Sequence, residues 1–327
     1  MGAVLDRRRE ESRRRTTDLK QRLKQAEQLC RSKACVYMTG SFARGEAHDS
    51  SDLDLFIVGQ GTPEKRELKR LDEIRIKADL IEATQDLKIP EFSGDGRYLE
   101  HYTVAELTNT LGKPEDDVAN TFTARLLLLL ESQPLLEPEV YDDVIQEVIG
   151  AYWQDYLDHK NNFTPAFLAN DILRLWRTFC VNYEARTARQ PDIEKAKRKI
   201  KNYKLKYSRL LTCYSALLYL LAVHVTRGTV SPEDASAMIS MTPTGRLEWL
   251  LTQENYKDAH DKVKSALQDY EVFLENTARP ESALIDHFLD REKSRGYFDK
   301  AAQFGDKIFD LIEIIGKKRS LHRLLVV

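Results

Sequence analysis

The sequence is short of several things, and each shortage removes a class of function. Its four cysteines (Cys30, Cys35, Cys180, Cys213) form no C-x-x-C pair and have no histidine ladder beside them. That pattern excludes a disulfide framework and a zinc-site spacing, so reduced thiols and a cytoplasmic setting are expected. No apolar run reaches the roughly 20 residues that span a bilayer. The longest, Leu210 to Val225, carries Thr212, Cys213 and Ser215 and is expected as a buried helix, with no membrane partner. Residues Arg7 to Arg15 are densely charged with no apolar core behind them, so no secretory leader is expected. There is no basic excess. A formal net charge of −2 argues against a chain permanently coated by nucleic acid. Neither a Walker phosphate loop nor a G-x-G-x-x-G fingerprint is present, which removes P-loop hydrolysis and hydride transfer. His260-Asp261 lacks companion metal motifs and reads as a helix-surface pair.

What is present suits two domains, since 327 residues exceed the roughly 100–200 of a single one. Residues 4–32 read as one helix with Leu19, Leu23 and Ala26 on a buried stripe. Short apolar strands are expected at Ala34–Thr39 and Leu53–Val58, the second ended by Gly59 and Gly61. Pro63 to Ala83 is helical in composition. Gly94-Asp95-Gly96 is a turn signal leading into a third strand from Arg97 to Val104. Pro134 and Pro138 mark a boundary, beyond which nearly everything reads as helix. Leu168, Ile172, Leu175 and Phe179 step by four, three and four, and Ser231-Pro232-Glu233-Asp234 is a helix start. The fold expected is α+β: a domain at 1–130 with a short mixed sheet, then an α-helical domain at 131–327.

The informative segment is Gly40-Ser41-Phe42-Ala43-Arg44-Gly45-Glu46 followed by Ser51-Asp52-Leu53-Asp54-Leu55. Gly40, without a Cβ, lets backbone amides approach a phosphate, and Ser41 adds a hydroxyl donor. A helix opening at Phe42 would turn free amides and its dipole toward the same anion. Asp52 and Asp54 are two apart on a strand, so both carboxylates point one way with Cα atoms roughly 7 Å apart. That separation suits two divalent ions about 3.5–4 Å apart, the arrangement of two-metal phosphoryl transfer. Like charges this close call for cations, Mg²⁺ or Mn²⁺. A surface turn with an acidic strand end is the plain alternative. This four-residue spacing arises by chance in about one chain in a few hundred.

The segment resembles the signature of the DNA polymerase β-like nucleotidyltransferase superfamily, a glycine-serine loop followed by an aspartate-x-aspartate strand. It is similar to the bacterial branches: minimal nucleotidyltransferases and the corresponding domain of signal-protein uridylyltransferases. The resemblance implies that Asp52 and Asp54 hold the metals and that Gly40 and Ser41 hold the triphosphate of an NTP or dNTP, with Arg44 beside them. It also implies a third carboxylate that ligates metal and takes the proton of the attacking hydroxyl. Glu100 is the candidate and Asp79 its competitor. A basic residue of the following helical domain is implied at the β- and γ-phosphates. Lys204, Lys206 and Arg209 are available, in a run of eight basic residues from Lys195 to Arg209 that interleaves Tyr203 and Tyr207. A solvated helix face is equally compatible with that run, and core packing with the tyrosines. The Arg7–Arg15 cluster reads as a solvated helix end or as a contact for RNA, DNA or an acidic partner.

The function expected is metal-dependent transfer of a nucleoside monophosphate to a hydroxyl on a nucleotide, nucleic acid or protein, with pyrophosphate leaving. Making an oligonucleotide or nucleotide signal for antiviral defence is one form of it. Nucleotidylation of a protein or tRNA is another, and a catalytically silent nucleotide-binding module is the alternative outside enzymes. Homo-oligomerisation is left open.

Overall fold

In a computed structural model of the protein, residues 2–92, 99–184, 192–316 and 319–326 are described. Ala3–Gln154 and Asp155–Val327 form two compact units. The fold is α+β, with a small mixed sheet near the N-terminus and helices beyond it.

The first unit opens with α1 (Ala3–Arg22) and α2 (Lys24–Cys30), two helices where the sequence predicts one. The break falls at Leu23, yet Leu19, Leu23 and Ala26 are all fully buried, so the apolar stripe runs on across it. Then come β1 (Ala34–Thr39), the single turn α3 (Gly40–Ala43), β2 (Asp54–Gly59) and α4 (Arg70–Asp86). The helix predicted from Pro63 starts seven residues later. The intervening chain is closed on itself by a bridge between Gly61, at φ +93°, and Arg66.

A three-residue strand, β3 (His101–Thr103), leads into α5 (Val104–Asn109), α6 (Glu115–Val118) and α7 (Thr121–Glu131). The Gly94–Gly96 turn and the start of the predicted third strand lie outside the described residues. β4 (Gln133–Leu136) and α8 (Pro138–Tyr152) complete the unit. The units therefore divide after residue 154 and not near 131. β4 pairs antiparallel with β1, with Pro134 opposite Tyr37 at a bulge, and that pairing keeps the chain in the first unit. Proline is tolerated there because β4 is an edge strand.

The strand order is β3-β2-β1-β4, with β1–β2 antiparallel and β2–β3 parallel. Every residue of β1 is buried, as expected of a strand covered on both faces. One face carries Ala34, Val36, Met38, Leu55 and Ile57 into a core with Leu19, Ala26, Ile76 and Leu80. On the other face Tyr37 stacks on Phe56 at 5.4 Å and Phe56 lies 6.4 Å from Tyr102. Tyr141 of α8 closes over Tyr37. Register sets this division: Val36 faces Ile57 and Tyr37 faces Phe56 across the ladder.

The second unit is helical. It runs through α9 (Ala166–Glu184), α10 (Asp192–Lys204), a π-helical turn at Leu205–Arg209 and α11 (Leu210–Arg227). It continues with α12 (Pro232–Ile239), α13 (Pro243–Leu251), α14 (Lys257–Thr277), α15 (Glu281–Leu289), α16 (Arg291–Gly316) and α17 (Ser320–Val326). The Ser231 start is a reciprocal capping box: its hydroxyl accepts from Asp234 N, and Asp234 accepts from Ser231 N. The stretch from Asp192 to Arg227 holds a window apolar and long enough to cross a membrane, but 72% of that window is buried within the protein. It is a core helix. Tyr203 and Tyr207 also turn inward, Tyr207 stacking on Phe273 at 4.6 Å and Tyr203 on Tyr297 at 5.0 Å.

Candidate active site

β1 delivers the chain to Gly40, where φ is +69°, a left-handed conformation that glycine adopts freely. Thr39 and Asp54 are ladder partners, so the turn and the start of β2 lie side by side. A side chain on Gly40 would begin 2.9 Å from Asp54 Oδ2. The absence of a Cβ is what lets the carboxylate stand over the turn. α3 then closes with Arg44 N donating to Gly40 O at 3.1 Å and Glu46 N to Ser41 O at 2.8 Å. Ser41 is half-buried at the start of that turn.

Burial alternates from the loop into β2. Asp52 is exposed, Leu53 buried, Asp54 half-buried and Leu55 buried. Leu53 and Leu55 enter the core while Asp52 and Asp54 stay out of it, and within β2 Asp54 shares the face of Phe56. Asp54 opens the strand, whereas Asp52 stands two residues before it on the loop.

Glu100 is placed differently from expectation. It precedes β3 instead of sitting within a strand, and it is exposed. Its carbonyl accepts from Ile57 N, which carries the parallel register back to a position beside Phe56. It therefore lies on the sheet face of Asp54. Its carboxylate, however, accepts from the Tyr102 hydroxyl at 3.0 Å. Burial, and then the Glu100 charge, push the Tyr102 phenol well above its ordinary value. Among the described residues no group of three or more His, Cys, Asp or Glu side chains comes together to hold a metal. Asp79 is half-buried on α4, with Oδ2 buried and unpartnered among the described residues.

Arg44 is occupied elsewhere. Its guanidinium is buried, with Nε donating to Glu46 at 2.7 Å and a terminal nitrogen to Glu131 at 2.8 Å. Two carboxylates hold it inside the fold, where it braces the loop. Lys204 and Arg209 belong to the second unit: Lys204 is exposed at the end of α10, and the Arg209 guanidinium lies 5.2 Å from the Phe179 ring centroid.

The sequence reading missed what α1 does. Ser12 is buried, and its hydroxyl accepts from Ala47 N at 2.9 Å. Arg15 donates to the His48 carbonyl and lies 5.0 Å from the Phe42 centroid. Arg8 is buried as well, and burial pushes both guanidinium groups below their ordinary range. The signal was present: Leu5, Arg8, Ser12, Arg15 and Leu19 step by three and four, extending the apolar stripe backwards through polar residues.

Carboxylates are hard oxygen donors, and Mg²⁺ is commonly held by one or two of them together with waters and substrate phosphates. The donor set formed by Asp52 and Asp54 fits that ion. Residues 17–98 match the family model of the nucleotidyltransferase domain, about a quarter of the chain and the part that carries Gly40 to Asp54. The match supports the polymerase β-like nucleotidyltransferase superfamily for this segment, and with it nucleotidyl transfer from a nucleoside triphosphate. No curated protein matches the sequence.

Proposed function

We propose that the first unit transfers a nucleoside monophosphate from an NTP or dNTP to a hydroxyl, in a metal-dependent displacement that releases pyrophosphate. One observation carries the reading. Asp54 stands over the glycine turn with Asp52 two residues upstream, inside the segment that matches a nucleotidyltransferase domain.

Asp52 and Asp54 would hold the divalent ions, Mg²⁺ or Mn²⁺, which supply charge neutralisation at the transferring phosphate. The Gly40 turn and the Ser41 hydroxyl receive the triphosphate, where backbone amides can come close because no side chain intervenes. Glu100, on the same sheet face, accepts the proton of the attacking hydroxyl. The new bond forms between that oxygen and the α-phosphorus, and the bond to the bridging oxygen breaks. Pyrophosphate departs with the electron pair.

The acceptor separates the branches. A nucleotide acceptor gives an oligonucleotide or nucleotide signal of the kind used in defence, while a protein or tRNA hydroxyl gives a nucleotidylated macromolecule. Incubating the pure protein with labelled NTPs or dNTPs and Mg²⁺ decides between them: labelled oligomer, labelled protein or labelled tRNA each selects one. Asp52→Ala should abolish any product. Product that persists in Asp52→Ala overturns the site.

A further inference from the structure

We infer that Ser12 and Arg15, on the part of α1 that precedes the family-matched segment, are positioning residues that hold the loop carrying Asp52. The inference rests on the reading of Asp52 given above. The loop from Arg44 to Leu53 lies between α3 and β2, outside the strand ladder. Its place is set from α1. Arg15 covers the Phe42 ring at 5.0 Å and donates to the His48 carbonyl. The Arg9 side chain packs 3.3 Å from where a side chain on Gly45 would begin. Ser12 accepts from Ala47 N, a backbone donor that would otherwise be buried without a partner. Residues 42, 45, 47 and 48 are thus each met by one face of the same helix.

The hold passes on toward the carboxylate. His48 N donates to the Ser51 hydroxyl at 3.0 Å, and Ser51 N donates to the His48 carbonyl at 2.8 Å. That carbonyl is the one Arg15 grips. Asp52 is the next residue, so its position depends on a short relay: α1 to His48, His48 to Ser51, Ser51 to Asp52. An aliphatic residue at 15 would cover Phe42 equally well but would release the carbonyl. A guanidinium does both. Residues 3–16 lie outside the matched segment, so this support is a feature of the chain and not of the domain signature.

Manganese alone is the probe, with free Mn²⁺ followed by electron paramagnetic resonance in the full-length protein. Ser12→Ala/Arg15→Met should weaken Mn²⁺ binding by about tenfold or more, the scale on which outer supports tune a metal site. Arg15→Lys, which keeps the charge and a donor, should recover most of that loss. Amide exchange across residues 46–52 should quicken in the double variant while exchange in β1 and β2 stays at the wild-type rate. Wild-type Mn²⁺ affinity in the double variant, alongside a weakened Asp52→Asn control, overturns the inference. If Asp52→Asn itself binds as wild type does, the metal role of Asp52 is what fails. The loop support is then judged on exchange alone: unchanged exchange at 46–52 overturns it, faster exchange sustains it. A purely structural role would spread faster exchange through the whole unit, and that result also overturns it.

Discussion

Asp54 and Gly40 occupy one another's space: the carboxylate oxygen Oδ2 sits 2.9 Å from the point where any side chain on residue 40 would start. Two penalties follow for Gly40→Ala. The left-handed φ of +69° costs a non-glycine residue about 1–2 kcal/mol, and the new methyl must push Asp54 aside. Stability should fall by about that amount in denaturant unfolding. Nucleotidyl transfer should fall much further, by about a hundredfold, because displacing a positioned group by an ångström has that effect. Equal proportional losses in the folded fraction and in activity would show that Gly40 serves the fold alone.

Arg44 makes a different kind of prediction. Its guanidinium is sealed between Glu46 and Glu131, whose side chains are 2% and 0% exposed. Removing the cation strands two buried acids. Arg44→Met should therefore destabilise the first unit by about 3–5 kcal/mol, read from chemical denaturation. Adding Glu131→Met should restore part of that loss, since one of the stranded charges is gone. Were Arg44 instead a phosphate ligand, Arg44→Met would keep its melting temperature and lose nucleotide affinity.

These two residues also mark where the sequence was legible and where it was not. Gly40, Asp52 and Asp54 lie within one short segment, so turn chemistry and local spacing were enough to single them out, although only Asp54 stands in β2 and Asp52 on the loop before it. Arg44 sits in the same segment, but the acid that claims it, Glu131, is 87 residues away. No local pattern announces that partner. β4 escaped for a related reason: Pro134 reads as a breaker, and only its place on a sheet edge opposite Tyr37 makes a strand of it. Glu100 falls just ahead of β3 and not within it, and most of the strand predicted before it lies outside the described residues. The polar stripe of α1 was visible as spacing and was hidden by composition, since arginine and serine are ordinarily read as solvent-facing.

In the second unit, acid sensitivity should come from His224. It is buried, its Nε2 stands 3.1 Å from the Thr164 hydroxyl, and its Nδ1 has no partner among the described residues. Burial, with Arg319 adding to it, holds its pKa below the ordinary value. The unfolded chain regains a pKa of about 6.5 and takes up the proton first. Stability is thus fully present above about pH 6.5 and drains away as pH falls toward the lowered folded value, by at most about 1.4 kcal/mol per pH unit for one group. His224→Gln should flatten the loss between pH 7 and 5.5 in denaturant unfolding. An unchanged slope would assign the sensitivity to another group.

Glu100 separates ligation from proton transfer. Its carboxylate takes the Tyr102 hydroxyl at 3.0 Å and joins no cluster of metal donors among the described residues. As a proton acceptor only, it should leave Mn²⁺ affinity unchanged in Glu100→Gln, while Asp52→Asn and Asp54→Asn weaken it. The rate constant for transfer should nevertheless drop by about 10²–10⁴, the usual contribution of a positioned general base, with little change in KM for the nucleotide. Tyr102→Phe removes the hydrogen bond that aims the carboxylate and leaves the carboxylate itself, so its loss in kcat should be smaller and again spare the metal. The reverse pattern, with Glu100→Gln losing Mn²⁺ as steeply as Asp54→Asn, would make Glu100 a ligand after all.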